Sequence, residues 1–205
     1  MIDTKKIVSA YDDIVVDYDK KYYAPSGRIK TLLRYLAPKS YVLDIGCGAG
    51  NNAVFLSDLG QRVVGIDLSE NMLKSAKSKG SDVEFIKMDM RKICFDMATF
   101  DCVIASYSLC HLNKADVALC LRQISRVLKN GGILFIELFT GKSIEMTIKE
   151  PLNVNLTMDL SIMSMGDIKT MLGQNGFEIT RTFHKPDPEF GLDGVKDTCI
   201  IAKKV

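Results

Sequence analysis

The chain has 205 residues, 47% hydrophobic and 25% charged, with a formal net charge of +2. Such a composition suits one α/β domain with a full core, and its interspersed charges exclude the concentrated basic face of a nucleic-acid binder. No long apolar run opens the chain, so neither a signal peptide nor a membrane span is expected, and the six cysteines, with no C-x-x-C pair, read as reduced thiols of a cytoplasmic protein.

Residues 1–27 carry Tyr11-Asp12 and Tyr18-Asp19 around Ile14, Val15 and Val16, with Tyr22-Tyr23 behind. A spacing of seven puts Tyr11 and Tyr18 on one helix face, an aromatic packing surface. Pro25 separates this segment from a helix over 28–36. Val42, Leu43 and Ile45 form a short buried strand that Asp44 interrupts. Gly46, Gly48 and Gly50 follow at alternate positions, and a helix over 51–59 stops at Gly60. Strand, glycine-rich turn and helix N-terminus are the parts of a nucleotide-cofactor crevice. The glycines run G-x-G-x-G; Asn51 stands where a dinucleotide fold has its third glycine, and no Gly-Lys-Ser/Thr of a P-loop is present.

Val63, Val64 and Ile66 make a second strand with Asp67 at its end, 21 positions after Gly46. That is the distance expected of an acid that grips a ribose. The plain alternative for Asp67 is a cap on the next helix. Ser69 is the N-cap of that helix, over 70–79, which Gly80 ends. A third strand over 83–87 ends in Met88-Asp89-Met90. A fourth, over 100–105, runs into Ser-Tyr-Ser-Leu-Cys-His-Leu. Asn113 then caps a helix with Val117, Cys120, Leu121, Ile124, Val127 and Leu128 on one face. Lys129-Asn130-Gly131-Gly132 closes it before a fifth strand over 133–139.

Beyond this the alternation breaks. Leu156, Met158, Leu160 and Ile162 mark a strand over 155–162 with one buried side, inside an insertion over 140–163 that lies across the crevice. Its Met146, Leu152, Met158 and Met163 suit an adaptable acceptor pocket, ordinary core or a dimer surface. Ser164 and Asp167 start a helix ending near Gly176. Strands over 177–183 and 195–203, joined by a loop over 186–194, form an antiparallel pair. Cys102, Cys120 and Cys199 fall in apolar patterns, whereas Cys47 and Cys110 border the pocket as packing residues. Alternating strands and helices imply a mostly parallel, doubly wound sheet covered on both faces. Right-handed crossovers then bring Gly46, Asp67, Asp89 and Ser106 to one edge.

Val42–Gly50 (VLDIGCGAG), the acid Asp67 and the LKNGG-then-strand run together resemble the class I S-adenosylmethionine-dependent methyltransferases, strongly over 40–140 and loosely over the whole. The resemblance implies a single domain over 1–205 with a Rossmann-like, seven-stranded, mostly parallel sheet and an antiparallel C-terminal pair. It implies S-adenosylmethionine as cofactor and S-adenosylhomocysteine as product. By the same resemblance the Tyr-Asp helix is a lid, and Tyr18, Asp44, Gly46, Cys47, Gly48 and Asn52 hold the cofactor with Asp67. Leu68 and Met72 flank the adenine, Asp89 accepts from its amino group, and Met90 and Ser106 complete the site. The segment after the fourth strand meets the acceptor, with Tyr23, Tyr107 and His111 as contacts. His111 is the candidate general base, by its pKa near neutrality, or else a packed loop histidine. His184 faces either pocket or solvent. The Asn/Asp-Pro-Pro-aromatic motif of amino-directed enzymes is absent, and no acidic cluster for a catalytic metal follows the fourth strand. The expected partner is a small-molecule acceptor, with no nucleic acid, membrane or metal, for a monomer or homodimer. A non-catalytic cofactor-binding protein and an NAD-dependent oxidoreductase are the rival readings.

Overall fold

Short apolar runs, each ended by an acid or a glycine, build the central sheet. The computed structural model describes residues 2–186 and 193–205. Helix α1 (Thr4–Lys21) and a short turn α2 (Ile29–Leu32) lead into β1 (Tyr41–Ile45), α3 (Asn51–Asp58), β2 (Arg62–Asp67), α4 (Glu70–Ser78) and β3 (Glu84–Lys87). Next come β4 (Phe100–Ser106), α5 (Lys114–Val127), β5 (Leu128–Thr140), β6 (Ile144–Glu150) and β7 (Asn153–Ile162). The helix α6 (Met165–Gln174) and the strands β8 (Phe177–Pro186) and β9 (Lys196–Lys204) complete the chain.

The main sheet has seven strands in the order β3-β2-β1-β4-β5-β9-β8. The pairs β3–β2, β2–β1, β1–β4 and β4–β5 are parallel, and β9 runs antiparallel to both β5 and β8. Side chains alternate across the sheet, so each face packs its own core. Leu43, Ile45, Val103 and Leu134 meet Cys120, Leu121 and Ile124 of α5 and Leu172 of α6. Val42, Ile104 and Phe135 meet Ala53 and Leu56 of α3 and Leu32 of α2. Phe100 and Phe135 are wholly buried, and each such side chain contributes about 1.5–3 kcal/mol by leaving water.

Three expectations change. The helix over 28–36 shrinks to α2 and a 3-10 turn, Leu33–Tyr35, with Leu36 extended. Pro38 biases Ala37 away from the α region, and the chain must straighten to enter β1. Leu128 begins β5 rather than ending α5. The insertion is a hairpin, because β6 pairs antiparallel with β7 from Ile144 opposite Ile162. Its first strand escaped notice because charged residues interleave with Ile144, Met146 and Ile148, none of which is fully buried. The expected loop over 186–194 falls largely outside the described residues.

Two parallel crossovers follow each other on opposite sides of β1, so β1 and β4 part above Gly46 and leave a crevice there. Over this edge lies a cover made of α1 and the β6–β7 hairpin. Ile7 and Ala10 of α1 pack on Met158, Ile148 and Leu156 of the hairpin. Ile14 packs on Ala49 beside the glycine turn and on Met72 of α4.

Candidate active site

The turn after β1 is built by backbone that only glycine adopts easily. Gly46, Gly48 and Gly50 have φ of 65°, 52° and 78°. A Cβ on Gly46 would stand 2.5 Å from that of Ser108, so the turn also needs glycine for space. Asp67 at the end of β2 holds this turn: its Oδ2 accepts from Gly48 N at 2.8 Å and its Oδ1 from Ser69 N at 2.9 Å. Asp67 therefore also secures the start of α4, where Ser69 Oγ accepts from Met72 N at 3.0 Å. Each carboxylate oxygen keeps further acceptor capacity for a ligand hydroxyl. Burial raises the Asp67 pKa, against the pull of the backbone N–H groups of Ser69, Gly48 and Leu68.

Beside the turn, Asp44 is 2% exposed and its Oδ2 has no hydrogen-bond partner. Burial, with Asp67 and Glu137 nearby, pushes its pKa up to about 7. A buried carboxylate oxygen left orphaned calls for a cation or a donor from a bound molecule. Glu137 stands two strands away on β5, 1% exposed, accepting from Ser26 Oγ and Ser106 Oγ, both at 2.6 Å. Arg28 reaches Asp197 Oδ1 at 2.6 Å, and Tyr107 donates to the same oxygen at 2.8 Å. Tyr107, just after β4, has φ at 51°, a strained conformation of the kind found at functional sites.

Two hollows meet at this edge. The first, a cleft, has Leu68, Met72, Met88 and Met90 as apolar wall and Asp67 and Asp89 as acids. The second, a cavity of about 440 Å³, is bounded by Asp44, Cys47 and Asn52 on the sheet side and by Phe139, Met158 and Leu160 across it. Tyr11, Tyr18, Gly46, Ser106, Tyr107 and His111 line both. Every expected cofactor residue thus borders one hollow or the other.

Some details depart from expectation. Asp89 points its carboxylate at Arg91, with 2.7 Å from Nη2 to Oδ2, while bordering the cleft. Burial would raise its pKa, but the Arg91 guanidinium outweighs that and holds it low. Tyr23 is 75% exposed and borders neither hollow. The helical phase ends at Lys21, so Tyr22 turns inward and Tyr23 outward. Of the four insertion residues, Met158 alone lines the cavity; Met163 belongs to the main core, Met146 packs near Phe139 and Leu152 on Ile14. His184 bonds Thr198 Oγ1 at 2.9 Å in the sheet and lines neither hollow. Cys102, Cys120 and Cys199 are buried in the core, and Cys47 and Cys110 border the cavity.

His111 is half-buried and doubly bonded, from Nδ1 to the Asp159 carbonyl at 3.2 Å and from Nε2 to Tyr11 Oη at 2.8 Å. Burial depresses its pKa, against the Asp159 carbonyl. The Tyr-Asp repeat of α1 is two-sided. Its tyrosines face the cleft, while Asp12 accepts from Ser69 Oγ at 2.5 Å and Asn71 N at 3.1 Å and Asp19 accepts from Lys79 Nζ at 2.6 Å. Glu137, Arg28 and Asp197 were not expected at the site, and Tyr11 only as part of the lid helix. Glu137 had a signal, an acid inside the apolar run ILFIELF; Arg28 and Asp197 had none, being joined only by the fold.

The residues fit a sulfonium cofactor. The apolar wall suits an adenine, Asp67 can accept from ribose hydroxyls, and the acids Asp44 and Glu137 favour positive charge beside the glycine turn. Among the described residues, no helix is long and apolar enough to cross a membrane.

Residues 43–136 match the family model described as a methyltransferase domain. The chain is 36% identical over 135 residues to the Bacillus subtilis methyltransferase YqeM, covering 63% of this chain and 52% of that protein. It is 31% identical over 146 residues to a Lactococcus lactis demethylmenaquinone methyltransferase, covering 64% of this chain and 57% of that one. The chain thus spans little more than half the length of these relatives. A solved methyltransferase from Methanosarcina mazei shares the fold, with TM-score 0.77 at 20% identity over 85% of this chain and 97% of that one. So does a Burkholderia thailandensis 1,6-didemethyltoxoflavin-N1-methyltransferase, solved with bound 1,6-didemethyltoxoflavin and S-adenosylhomocysteine, with TM-score 0.76 at 18% identity over 98% and 88% of the two chains. Glycine turn, acid-ended strands, matched segment and shared sheet agree: residues 43–136 form a methyltransferase domain of the class I, S-adenosylmethionine-dependent kind.

Proposed function

We propose that the protein methylates a small-molecule acceptor seated in the cavity beside the glycine turn. The observation that carries this reading is the shared wall: six residues border both the cofactor cleft and the cavity, so a ligand in each would meet there. When bound, the cofactor supplies a methyl group already activated on a sulfonium. The protein's task is then to align, desolvate and, for a protonated acceptor, remove a proton.

In this reading Asp67 holds the ribose, Leu68 and Met72 sandwich the adenine, and Asp44 with the glycine turn holds the amino acid end. Tyr107 and His111 face the acceptor. Helix α1 and the hairpin exclude water as a lid, and the chain works as a single domain. The negative lining of Asp44, Asp67 and Glu137 favours a cationic cofactor over a nicotinamide dinucleotide with its pyrophosphate. The cavity of about 440 Å³ has room for a small-molecule acceptor. Free thiols and a mixed-charge surface fit a cytoplasmic setting without nucleic-acid partners, as a monomer or homodimer.

Calorimetry tests this first. S-adenosylmethionine and S-adenosylhomocysteine should bind, and NAD and NADP should not. A screen of phenols, thiols, amines, carboxylates and N–H heterocycles with methyl-labelled cofactor should then give a labelled small product. Binding of NAD with no response to either sulfur compound would overturn the reading.

A further inference from the structure

Tyr11 has no place in the assignments above, yet it occupies the junction of cleft and cavity together with His111. The direction of its hydrogen bond follows from the far side of the ring. A backbone carbonyl can only accept, so the contact of Nδ1 with the Asp159 carbonyl at 3.2 Å places a proton on Nδ1. In neutral His111, Nε2 then carries a lone pair. Tyr11 Oη, 2.8 Å away, donates to it. The lone pair of His111 is therefore taken, and an acceptor in the cavity meets the Tyr11 oxygen instead, whose own lone pairs are free to accept.

Three separate segments meet to make this chain of contacts: α1, the turn after β4 and β7. Asp159 itself is anchored by Thr147 Oγ1 at 2.7 Å, Lys6 Nζ at 3.1 Å and the backbone N of Asp3 at 3.2 Å, so its carbonyl is held in place. Burial also keeps His111 neutral and Tyr11 protonated, as a relay at rest requires. Besides His111, the titratable groups acting on Tyr11 include Tyr18, Cys110, Asp67 and Glu150; none of these four is a cation that would hold a tyrosinate.

We propose that Tyr11 is a catalytic residue that takes the acceptor's proton and passes its own to His111, so the acceptor is a nucleophile protonated at neutral pH, such as a phenol, an alcohol or an N–H heterocycle. The inference rests on the cofactor and cavity reading given above. The step balances. The acceptor's X–H bond breaks and its proton goes to Tyr11 Oη, while the Tyr11 proton goes to His111 Nε2. The electron pair left on X forms the new bond to the methyl carbon, and the carbon–sulfur bond breaks with its pair going to sulfur. One positive charge leaves the sulfonium and one appears on imidazolium, whose Nδ1–H keeps its bond to Asp159. Return of the proton through Tyr11 to water resets the pair once product leaves.

The test compares wild type, Tyr11→Phe and His111→Gln, each with S-adenosylhomocysteine affinity measured first. Phenylalanine keeps the ring, so affinity should stay within about threefold. Nitrogen NMR of the homocysteine-bound protein needs no turnover, and the sequence has only two histidines to assign. Wild-type His111 should be neutral with its proton on Nδ1, and Tyr11→Phe should raise its pKa, because a donor to the neutral form is lost. A proton resting on Nε2, or a His111 titration unmoved by Tyr11→Phe, overturns the relay. Turnover is then read with phenol and thiophenol as probe acceptors, one protonated and the other ionised at neutral pH. Tyr11→Phe should slow phenol methylation a hundredfold or more and thiophenol methylation less than threefold. Equal losses for the two probes make Tyr11 a mere prop of the cover and overturn the proposal. Where neither probe is methylated, the NMR result decides. Failure of all three proteins to bind S-adenosylhomocysteine would instead bring down the cofactor reading.

Discussion

The sheet and its cover are held by different forces. Between β1, β4 and β5 the cohesion is apolar: Leu43, Val103, Leu134 and Phe135 are fully buried. Between α1 and the rest, three small apolar seats at Ile7, Ala10 and Ile14 are joined by a row of polar clamps. Asp12 clamps α4 through Ser69 and Asn71, Asp19 through Ser75 and Lys79, and Asn51 Nδ2 donates to the carbonyl of Tyr22 at 2.5 Å. Hydrogen bonds of this kind contribute about 0.5–3 kcal/mol each, the upper end for those to carboxylates, since water competes for both partners. Burial of large side chains is worth more and has no competitor in solution. A region that must admit a ligand is therefore joined by contacts that water can replace, while the platform that positions it is not.

The comparison breaks most visibly at Phe135. Phe135→Ala should cost about 3–5 kcal/mol of unfolding free energy, measured with denaturant, which is a large share of a typical domain's stability. A loss below about 1 kcal/mol would show that the platform is looser than its packing implies.

Gly46→Ala comes next. Its φ of 65° and the 2.5 Å approach to Ser108 force the turn to move, at about 1–3 kcal/mol. Affinity for S-adenosylhomocysteine should fall about tenfold to a hundredfold by calorimetry. Asp67→Ala removes charge-assisted acceptors for the cofactor and for Gly48 N, and should weaken binding at least about tenfold while the sheet survives. Unchanged affinity would reduce Asp67 to a cap of α4.

Asp12→Ala sharpens the contrast. It frees Ser69 Oγ and Asn71 N at a local cost of about 1–3 kcal/mol. The midpoint of unfolding should hardly move, yet release of S-adenosylhomocysteine should quicken about tenfold in stopped flow. A large drop in the midpoint with unaltered release would place α1 in the platform instead.

A separate check is a pair of opposite pH slopes. Burial depresses the His111 pKa, so unfolded chains take up the proton first as pH falls below about 6.5. The stability this site contributes is full above about pH 6.5 and drains in acid. Asp44 behaves in reverse. Its pKa is pushed up to about 7, so the folded state holds a proton that the unfolded state loses near 3.9. Its contribution is present in acid and lost as pH rises through about 7. Denaturant unfolding from pH 4 to 8 should show His111→Gln abolishing the loss at the acid end and Asp44→Asn the loss toward pH 8. Parallel profiles for wild type and both variants would mean that neither side chain titrates differently on folding.

Much of the platform could be read from local pattern. Apolar runs ended by Asp44, Asp67 and Asp89, glycines at alternate positions, and caps at Ser69, Asn113 and Ser164 all act over a few residues. Crossover handedness then forced their ends together, which is why the cofactor residues were legible. Only the tertiary structure decided the cover. Strand β6 buries little, so its alternation is blurred by charge and its pairing with β7 stays hidden. The Asp197 partner of Arg28 and the Tyr11 partner of His111 lie 169 and 100 positions away along the chain. Tyr23 went astray because the last turn of α1 sets which of two adjacent tyrosines faces inward, and sequence spacing does not say where a helix frays. Backbone geometry with short reach is written in neighbouring residues; polar contacts between distant segments depend on where the folded chain puts each side chain, and no local pattern encodes that.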